Sequence, residues 1–521
     1  MDPPPQGEPH VRIHKREIIG TRLLQRETNG CNGRNIPQVP LAFIAPCVIT
    51  TLTLGMVYME TPCEPSNGTS AGTVVSIIRD HAIIVSAPHP DNFQLAVMNI
   101  DEGMKIIENP LYRYVRLVVN LIAVWTFKPI FPAENPTLTS QDATIIIPSL
   151  LGYGDELKVT LRSVLINEPF QIILVTIDSN RGSAEKMLRT MPASKTRIQL
   201  LSIPKPNKRR QMVRAIPEVQ TKITVFVDDD VSWPPRELAW LLAVFEKDPI
   251  YGGVATCQRL KESDSSLFSI KRVWDFLGAL YLERRNFDCA ATTHVDGGMP
   301  CLSGRTSAYR TKILQDRDFT YNFTNEEWWF GKYELNADDD NFLSRWMVSH
   351  GWETYFQYHP EVEIQTTLES NSKYLKQCVR WSRSNWRSNL TTLIQEQVVW
   401  YRQPWSTYAV YLTTLSPPAL VGDLALVVLC YYGTKDWDEC SRMFTLKALA
   451  LWMFVSKFIK LLGHYIRNPA DFLLLPVSIL FGYFHGLIKL YAAFTLNVTT
   501  WGTRDGADAS DSERMREKPR R

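Results

Sequence analysis

Apolar positions along this chain follow two patterns, and the patterns divide it. In the middle, short β-branched runs alternate with helical stretches. Ala143–Ile147 is closed by Pro148, followed by a glycine-containing turn and helix-like sequence to Leu165; Ile172–Ile177, Arg197–Ile203 and Ile223–Val227 follow. Unbroken apolar runs of this length are strands buried on both faces, and their alternation with helical sequence predicts an α/β fold with a mostly parallel, covered sheet. Ligands on such sheets gather at the carboxyl ends of strands. Asp178 and Asp228–Asp230 both follow strand ends, so they predict one cleft. No GxGxxG follows the first strand, which argues against a dinucleotide site.

The flanks read differently. Val39–Met59 carries no charge and is long enough to cross roughly 30 Å of hydrocarbon. Arg12, Lys15, Arg16, Arg22, Arg26 and Arg34 precede it and place the N-terminal side in the cytosol. The segment lies too far from the N-terminus for a cleaved signal peptide. Leu111–Ile130, with Arg113, Arg116 and Lys128 at its ends, crosses or lies in the interface. Tyr408–Tyr432 and Leu446–Leu496 follow the polar middle, and the second splits at Arg467-Asn468-Pro469. Two early crossings bring the polar middle to the cytosol, and three later ones would carry the C-terminus out. The basic tail, Arg504 and Arg514 to Arg521, argues that it stays inside. One late segment therefore turns back or lies flat, either Leu473–Leu496 or the stretch holding Pro417-Pro418.

The expected organisation is a disordered cytosolic tail (1–38), a transmembrane helix (39–60), a non-cytosolic loop (61–110) with a glycosylation tripeptide at Asn67, and a transmembrane or interfacial helix (111–131). A catalytic domain (140–370), amphipathic interfacial helices (371–404), transmembrane helices (405–496) and a C-terminal loop with a basic tail (497–521) complete it. This describes an integral membrane protein with its polar middle domain facing the cytosol. A net charge of +3 over 521 residues gives no reason to expect a nucleic-acid partner. Nine cysteines show neither CxxC pairs nor zinc-finger spacing. Cys63 and Cys440 are the two that a non-cytosolic position would leave free to pair.

The candidate chemistry lies in four polar signatures. Asp228 and Asp230 sit at i and i+2, so they face one side and can share a divalent ion; hard carboxylate oxygens suit Mg²⁺ or Mn²⁺. The bland reading is an acidic turn before Pro234-Pro235. Asp338-Asp339-Asp340 precedes a helical apolar face, and acids there commonly cap a helix. The functional reading makes Asp340 a general base with Asp339 beside it. Gln377, Arg380 and Trp381 fall on one helical face: a fork for phosphate, an amide, and a platform for a sugar ring. Packing alone would also explain them. Lys208 leads a basic cluster that usually is only a solvated face, and Ser303-Gly304 allows close backbone approach.

Together with the terminal Trp501-Gly502-Thr503-Arg504, these motifs resemble the processive family 2 glycosyltransferases, which include hyaluronan, chitin and cellulose synthases. The likeness is nearest to hyaluronan synthases and the fungal hyaluronan-synthase-like (type 2) glycosyltransferases, over roughly residues 110–505. It implies a GT-A catalytic domain, an inverting, metal-dependent hexosyltransferase using UDP-sugars, and export of a growing polysaccharide through the enzyme's own helices into or past membrane lipid. It implies Asp178 near uracil, Lys208 near uracil or phosphate, Asp228 on UDP, Asp230 on metal, and Asp340 as base. Gln377 and Arg380 would hold pyrophosphate, Trp381 the acceptor end, and Trp501–Arg504 would close over the donor. The chain reads Asp-Asp-Asn at 339–341 where hyaluronan synthases usually have Asp-Asp-Arg. Its last motif is also shorter than theirs. Gln-x-x-Arg-Trp also occurs in ceramide glucosyltransferases, so transfer of one sugar to a lipid (ceramide or a polyprenyl phosphate) is the alternative.

Overall fold

The computed structural model describes residues 114–261, 266, 269–329 and 331–499. The strands are β1 (Ala143–Pro148), β2 (Gln171–Ile177), β3 (Arg197–Ile203), β4 (Ile223–Val227), β5 (Val231–Ser232), β6 (Tyr251–Thr256) and β7 (Gln258–Leu260). They continue with β8 (Thr306–Arg310), β9 (Glu327–Trp328), β10 (Tyr333–Glu334), β11 (Glu353–Gln357) and β12 (Ile364–Thr366). Seven of them build the central sheet in the order β11-β6-β8-β4-β1-β2-β3, parallel throughout except for β8.

Both faces are covered, as the unbroken apolar runs require. Ile145, Ile147, Leu174 and Val225 pack against Leu157, Leu161, Leu238 and Leu241 of the helices Asp155–Leu165 and Glu237–Lys247. Neighbours one step along, Ile146, Ile173, Val175 and Phe226, pack on the other side against Met212, Cys289, Leu343 and Met347. The period of two along each strand assigns residues to faces, and the two helical layers exclude water from each.

The reversal of β8 matters for the site. Antiparallel pairing sets Val227 opposite Thr306, so the segment entering β8 arrives at the carboxyl end of β4. The Asp228 amide donates to the Arg305 carbonyl there at 3.2 Å. A small sheet, β5-β12-β7, brings Thr366 and Thr367 to the same end.

Beyond residue 372 the chain is helical. Pro469–Ala493, 25 residues with mean hydropathy 1.7, is long and apolar enough to cross a membrane. It leaves Leu480, Phe484 and Leu487 exposed. Pro404–Leu415 and Ala419–Gly433 meet at a 93° bend. The break falls at Pro417-Pro418, where two residues have no N–H to donate. The long stretch Leu446–Leu496 is interrupted at Asn468-Pro469, between the helices Leu462–Arg467 and Pro469–Ala493. The described part of Leu111–Ile130 is helical over Tyr114–Thr126. Val39–Met59, the loop with Asn67, and the tail with Trp501 and Arg504 lie outside the described residues.

Candidate active site

A cavity of about 750 Å³ opens at the carboxyl ends of β1 and β4 and runs between helices Ile270–Asp296, Asp339–Ser349 and Lys373–Leu390. As the chain leaves β4 its side chains alternate. Asp228 and Asp230 line the cavity, while Asp229 turns away to accept a hydrogen bond from Ser149 Oγ at 2.6 Å. Thr367 Oγ1 donates to Asp230 Oδ2 at 3.4 Å.

Lys208 joins the two acidic runs. Its Nζ lies 2.8 Å from Asp228 Oδ1 and 3.0 Å from Asp339 Oδ2. Burial by itself would favour the neutral amine, but the carboxylates of Asp228 and Asp339 outweigh it and hold the pKa above the usual lysine range. The pairing is local in origin. Asn207 caps the helix Lys208–Ala215 by accepting from the Arg210 amide at 3.0 Å, so Lys208 projects from the first turn. Arg209 points the other way and is buried, donating to the carbonyls of Phe323 (2.8 Å) and Ala337 (2.7 Å). It thereby braces the loop that delivers Asp338–Asp340.

The second acidic run is not a simple cap. Asp338 occupies the N-cap position with φ +68° and makes no capping hydrogen bond. Its Oδ2 instead accepts from Arg387 Nε (2.9 Å) and Nη2 (2.6 Å). The next two residues are driven apart in acidity. Burial raises the Asp339 pKa, but Lys208 overcomes this and holds it below the usual carboxylate value. Asp340 is raised by its burial and by the negative charge of Asp339. Adjacent carboxyls with opposite shifts are the arrangement that separates a permanently charged group from a proton acceptor.

Gly304 lies over this cluster. A Cβ there would stand 2.8 Å from Lys208 Nζ, 3.5 Å from Asp339 Oδ2 and 3.8 Å from Asp228 Oδ1. Ser303, beside it, is buried. Across the cavity, Gln377, Arg380 and Trp381 face inward from Lys373–Leu390, while Tyr374 and Cys378 pack outward onto Phe276 and Leu277. Trp381 stacks on Tyr281 with centroids 4.6 Å apart and planes 16° apart, and the Arg305 guanidinium lies 5.6 Å from the indole centroid. Gln377 Oε1 is buried without a hydrogen-bond partner among the described residues.

One cavity thus gathers Lys208, Asp228, Asp230, Ser303, Gly304, Asp339, Asp340, Gln377, Arg380 and Trp381. Asp178, exposed in the turn after β2, is not among its lining residues. The segment leading to Trp501 and Arg504 is anchored at the site, because Arg387 Nη1 donates to the carbonyls of Leu496 (3.4 Å) and Val498 (3.1 Å). Sequence reasoning missed Tyr281, Arg285, Cys301, His485 and Lys489, which also line the cavity. Two signals were available: Tyr281 and Arg285 one turn apart on a helix, and Lys489 as the lone cation of an apolar segment.

The donor set bears on a metal ion. Among the described residues no three ligating side chains gather. Asp228 and Asp230 are two hard carboxylates on one wall. That suits Mg²⁺ or Mn²⁺, which keep water or substrate phosphate in their remaining positions.

The chain matches the profile of Glycosyltransferase like family 2 over residues 142–384. A Type 2 glycosyltransferase of Zymoseptoria tritici is 51% identical over 408 residues, covering 78% of this chain and 84% of that one. One of Gibberella zeae is 47% identical over 409 residues, covering 78% and 77%. Hyaluronan synthase 2 of Gallus gallus is 28% identical over 284 residues, covering 53% and 46%. Among solved structures, a mannosyltransferase of Pyrobaculum calidifontis in complex with GDP-Man and Mn²⁺ aligns with TM-score 0.46 and 14% identity, covering 77% of this chain and all of that one.

Proposed function

This chain belongs to glycosyltransferase family 2, and on that premise we propose that it polymerises sugar from UDP-sugar donors and passes the product outward through its own helices in the plasma membrane. The observation that carries this reading is the reach of a single cavity. Its lining joins Lys208, Asp228 and Asp339, beside the carboxyl ends of the sheet strands, to Asp340 and Trp381 and to His485 and Lys489 on the apolar helix Pro469–Ala493. A donor end on the sheet and an acceptor end between apolar helices suit a chain that leaves as it grows.

In this reading the acceptor's terminal sugar stacks on Trp381, with its hydroxyl near Asp340. The hydroxyl oxygen attacks the anomeric carbon from the face opposite UDP and gives up its proton to Asp340. The bond from that carbon to the UDP oxygen breaks, UDP departs with the electron pair, and configuration inverts. Lys208 and Arg380 offset charge growing on the diphosphate. Asp228 and Asp230 would hold Mg²⁺ or Mn²⁺, which when bound neutralises diphosphate oxygens. The carboxyl of Asp340 needs a raised pKa for this work, and its burial beside Asp339 supports the assignment.

Product length tests the proposal. Purified full-length chain in lipid nanodiscs, given labelled UDP-sugars, is expected to produce high-mass polymer sensitive to a specific glycanase. Label confined to a single-sugar lipid would overturn it. Trp381→Ala should reduce elongation at least tenfold more than donor hydrolysis, since the indole touches only the acceptor; equal loss of both would contradict the stacking role. Lys208→Met keeps the side-chain stem and removes the ammonium held between Asp228 and Asp339. A donor-binding isotherm should show affinity weakened about tenfold, and unchanged affinity would remove Lys208 from the donor site.

A further inference from the structure

We infer that Arg305 is a further donor-binding residue, whose guanidinium holds the phosphate attached to the donor sugar as that phosphate leaves. The inference rests on the glycosyltransferase reading of this site and adds a residue to its chemistry.

Arg305 lines the cavity immediately before β8. Pairing of β8 with β4 fixes its backbone, and its carbonyl accepts from the Asp228 amide at 3.2 Å. The small sheet fixes its side chain. Nε donates to Thr366 Oγ1 at 3.2 Å and Nη1 to Gln258 Oε1 at 3.0 Å. Gln258 is itself locked: its backbone amide donates to Asn286 Oδ1 at 3.1 Å, and its carbonyl accepts from Asn286 Nδ2 at 2.8 Å. The guanidinium is therefore held in place before any ligand arrives.

Both of its partners are neutral. Arg305 makes no ion pair among the described residues, and its Nη2 makes no hydrogen bond to them. Arg209, Arg345 and Arg387, buried elsewhere in the domain, each have a carboxylate partner. A second cation lines the same cavity. Burial lowers the Arg380 pKa, and the like charge of Arg305 lowers it further. Two guanidinium groups that repel in a half-enclosed cavity are costly unless an anion joins them.

Position selects the anion. Thr366, which holds Arg305, is followed by Thr367, whose hydroxyl donates at 3.4 Å to Asp230, a carboxylate offered to the metal. The Arg305 guanidinium also lies 5.6 Å from the indole centroid of Trp381, the platform for the acceptor. An anion that meets the metal wall, Arg380 and the acceptor platform together is the phosphate bonded to the donor sugar. When the acceptor oxygen attacks, the bond from the anomeric carbon to that phosphate's oxygen breaks and the electron pair stays with UDP. A guanidinium fork donates hydrogen bonds to the growing charge and gives up no proton.

Titrations with UDP and with UMP, on full-length protein in nanodiscs with Mg²⁺, test this. Arg305→Met should weaken UDP about tenfold and leave UMP, which lacks that phosphate, unchanged. Single-turnover transfer should fall about a hundredfold, the range for losing one donor to a developing oxyanion. Elongation and donor hydrolysis should fall together, because both need UDP to leave. A residue that only steadied Trp381 would leave UDP affinity intact and spare hydrolysis, and either result overturns the inference. So does equal weakening of UDP and UMP. If Arg305→Met does not fold, Arg305→Lys carries the test. An ammonium keeps the charge but cannot span Thr366, Gln258 and a phosphate at once, so UDP should weaken about threefold; wild-type affinity overturns the inference. Wild-type protein that neither binds UDP nor releases it from any UDP-sugar would instead defeat the glycosyltransferase reading beneath it.

Discussion

Asp340→Asn is expected to lower sugar transfer about a thousandfold, the range for losing a positioned general base, while UDP-sugar binding survives. The carboxyl faces the cavity but does not contact Lys208 within ion-pair distance; Asp228 and Asp339 hold that lysine. The amide keeps the shape of the side chain and cannot take a proton. Single-turnover measurements with saturating donor, beside a binding isotherm, separate the two effects. Loss of both together would mean that Asp340 belongs to donor binding.

The pH profile gives an independent check, and its sign follows from the surroundings. Burial and the charge of Asp339 raise the Asp340 pKa above the ordinary aspartate value. The base works only when ionised, so activity should fall on acidification at a higher pH than an exposed aspartate would give. Removing the Asp339 charge takes away one cause of the rise and frees Lys208 to attract Asp340. Asp339→Asn should therefore move the acid limb to lower pH, whatever it does to the maximal rate. A limb that stays in place would place the titrating group elsewhere.

The second large effect is on stability. Arg387→Met should destabilise the fold by about 3–5 kcal/mol, because it strands a buried carboxylate. Asp338 and Arg387 side chains are 6% and 3% exposed, and both guanidinium contacts go to one oxygen of Asp338. The same arginine holds the carbonyls of Leu496 and Val498. Adding Asp338→Asn to Arg387→Met should recover part of the loss. It removes the unpaired charge, and asparagine tolerates the positive φ at this position. Thermal melts in detergent of the two single variants and the double one measure this coupling. Additive losses would show that the pair is not the source of the effect.

The alternation of buried strands and helices in residues 143–227, the helix carrying Gln377, Arg380 and Trp381, and the breaks at Pro417-Pro418 and Asn468-Pro469 were all determined by sequence. Each depends on periodicity, apolar runs or missing donors within a few residues. The acidic runs were also recognisable, but their chemistry was not separable from helix capping. That separation needed Arg387 to engage Asp338 and Lys208 to engage Asp339, partners far away along the chain. The reversed strand β8 brought Gly304 and Arg305 to the end of β4, and no local pattern specifies which strand is reversed. Tyr281 beneath Trp381, and Lys489 over Trp386, were likewise decided by tertiary packing alone. A side chain's own sequence neighbourhood states its hydropathy and its helical face, whereas its charge partner and its solvent exposure depend on which distant element folds against it.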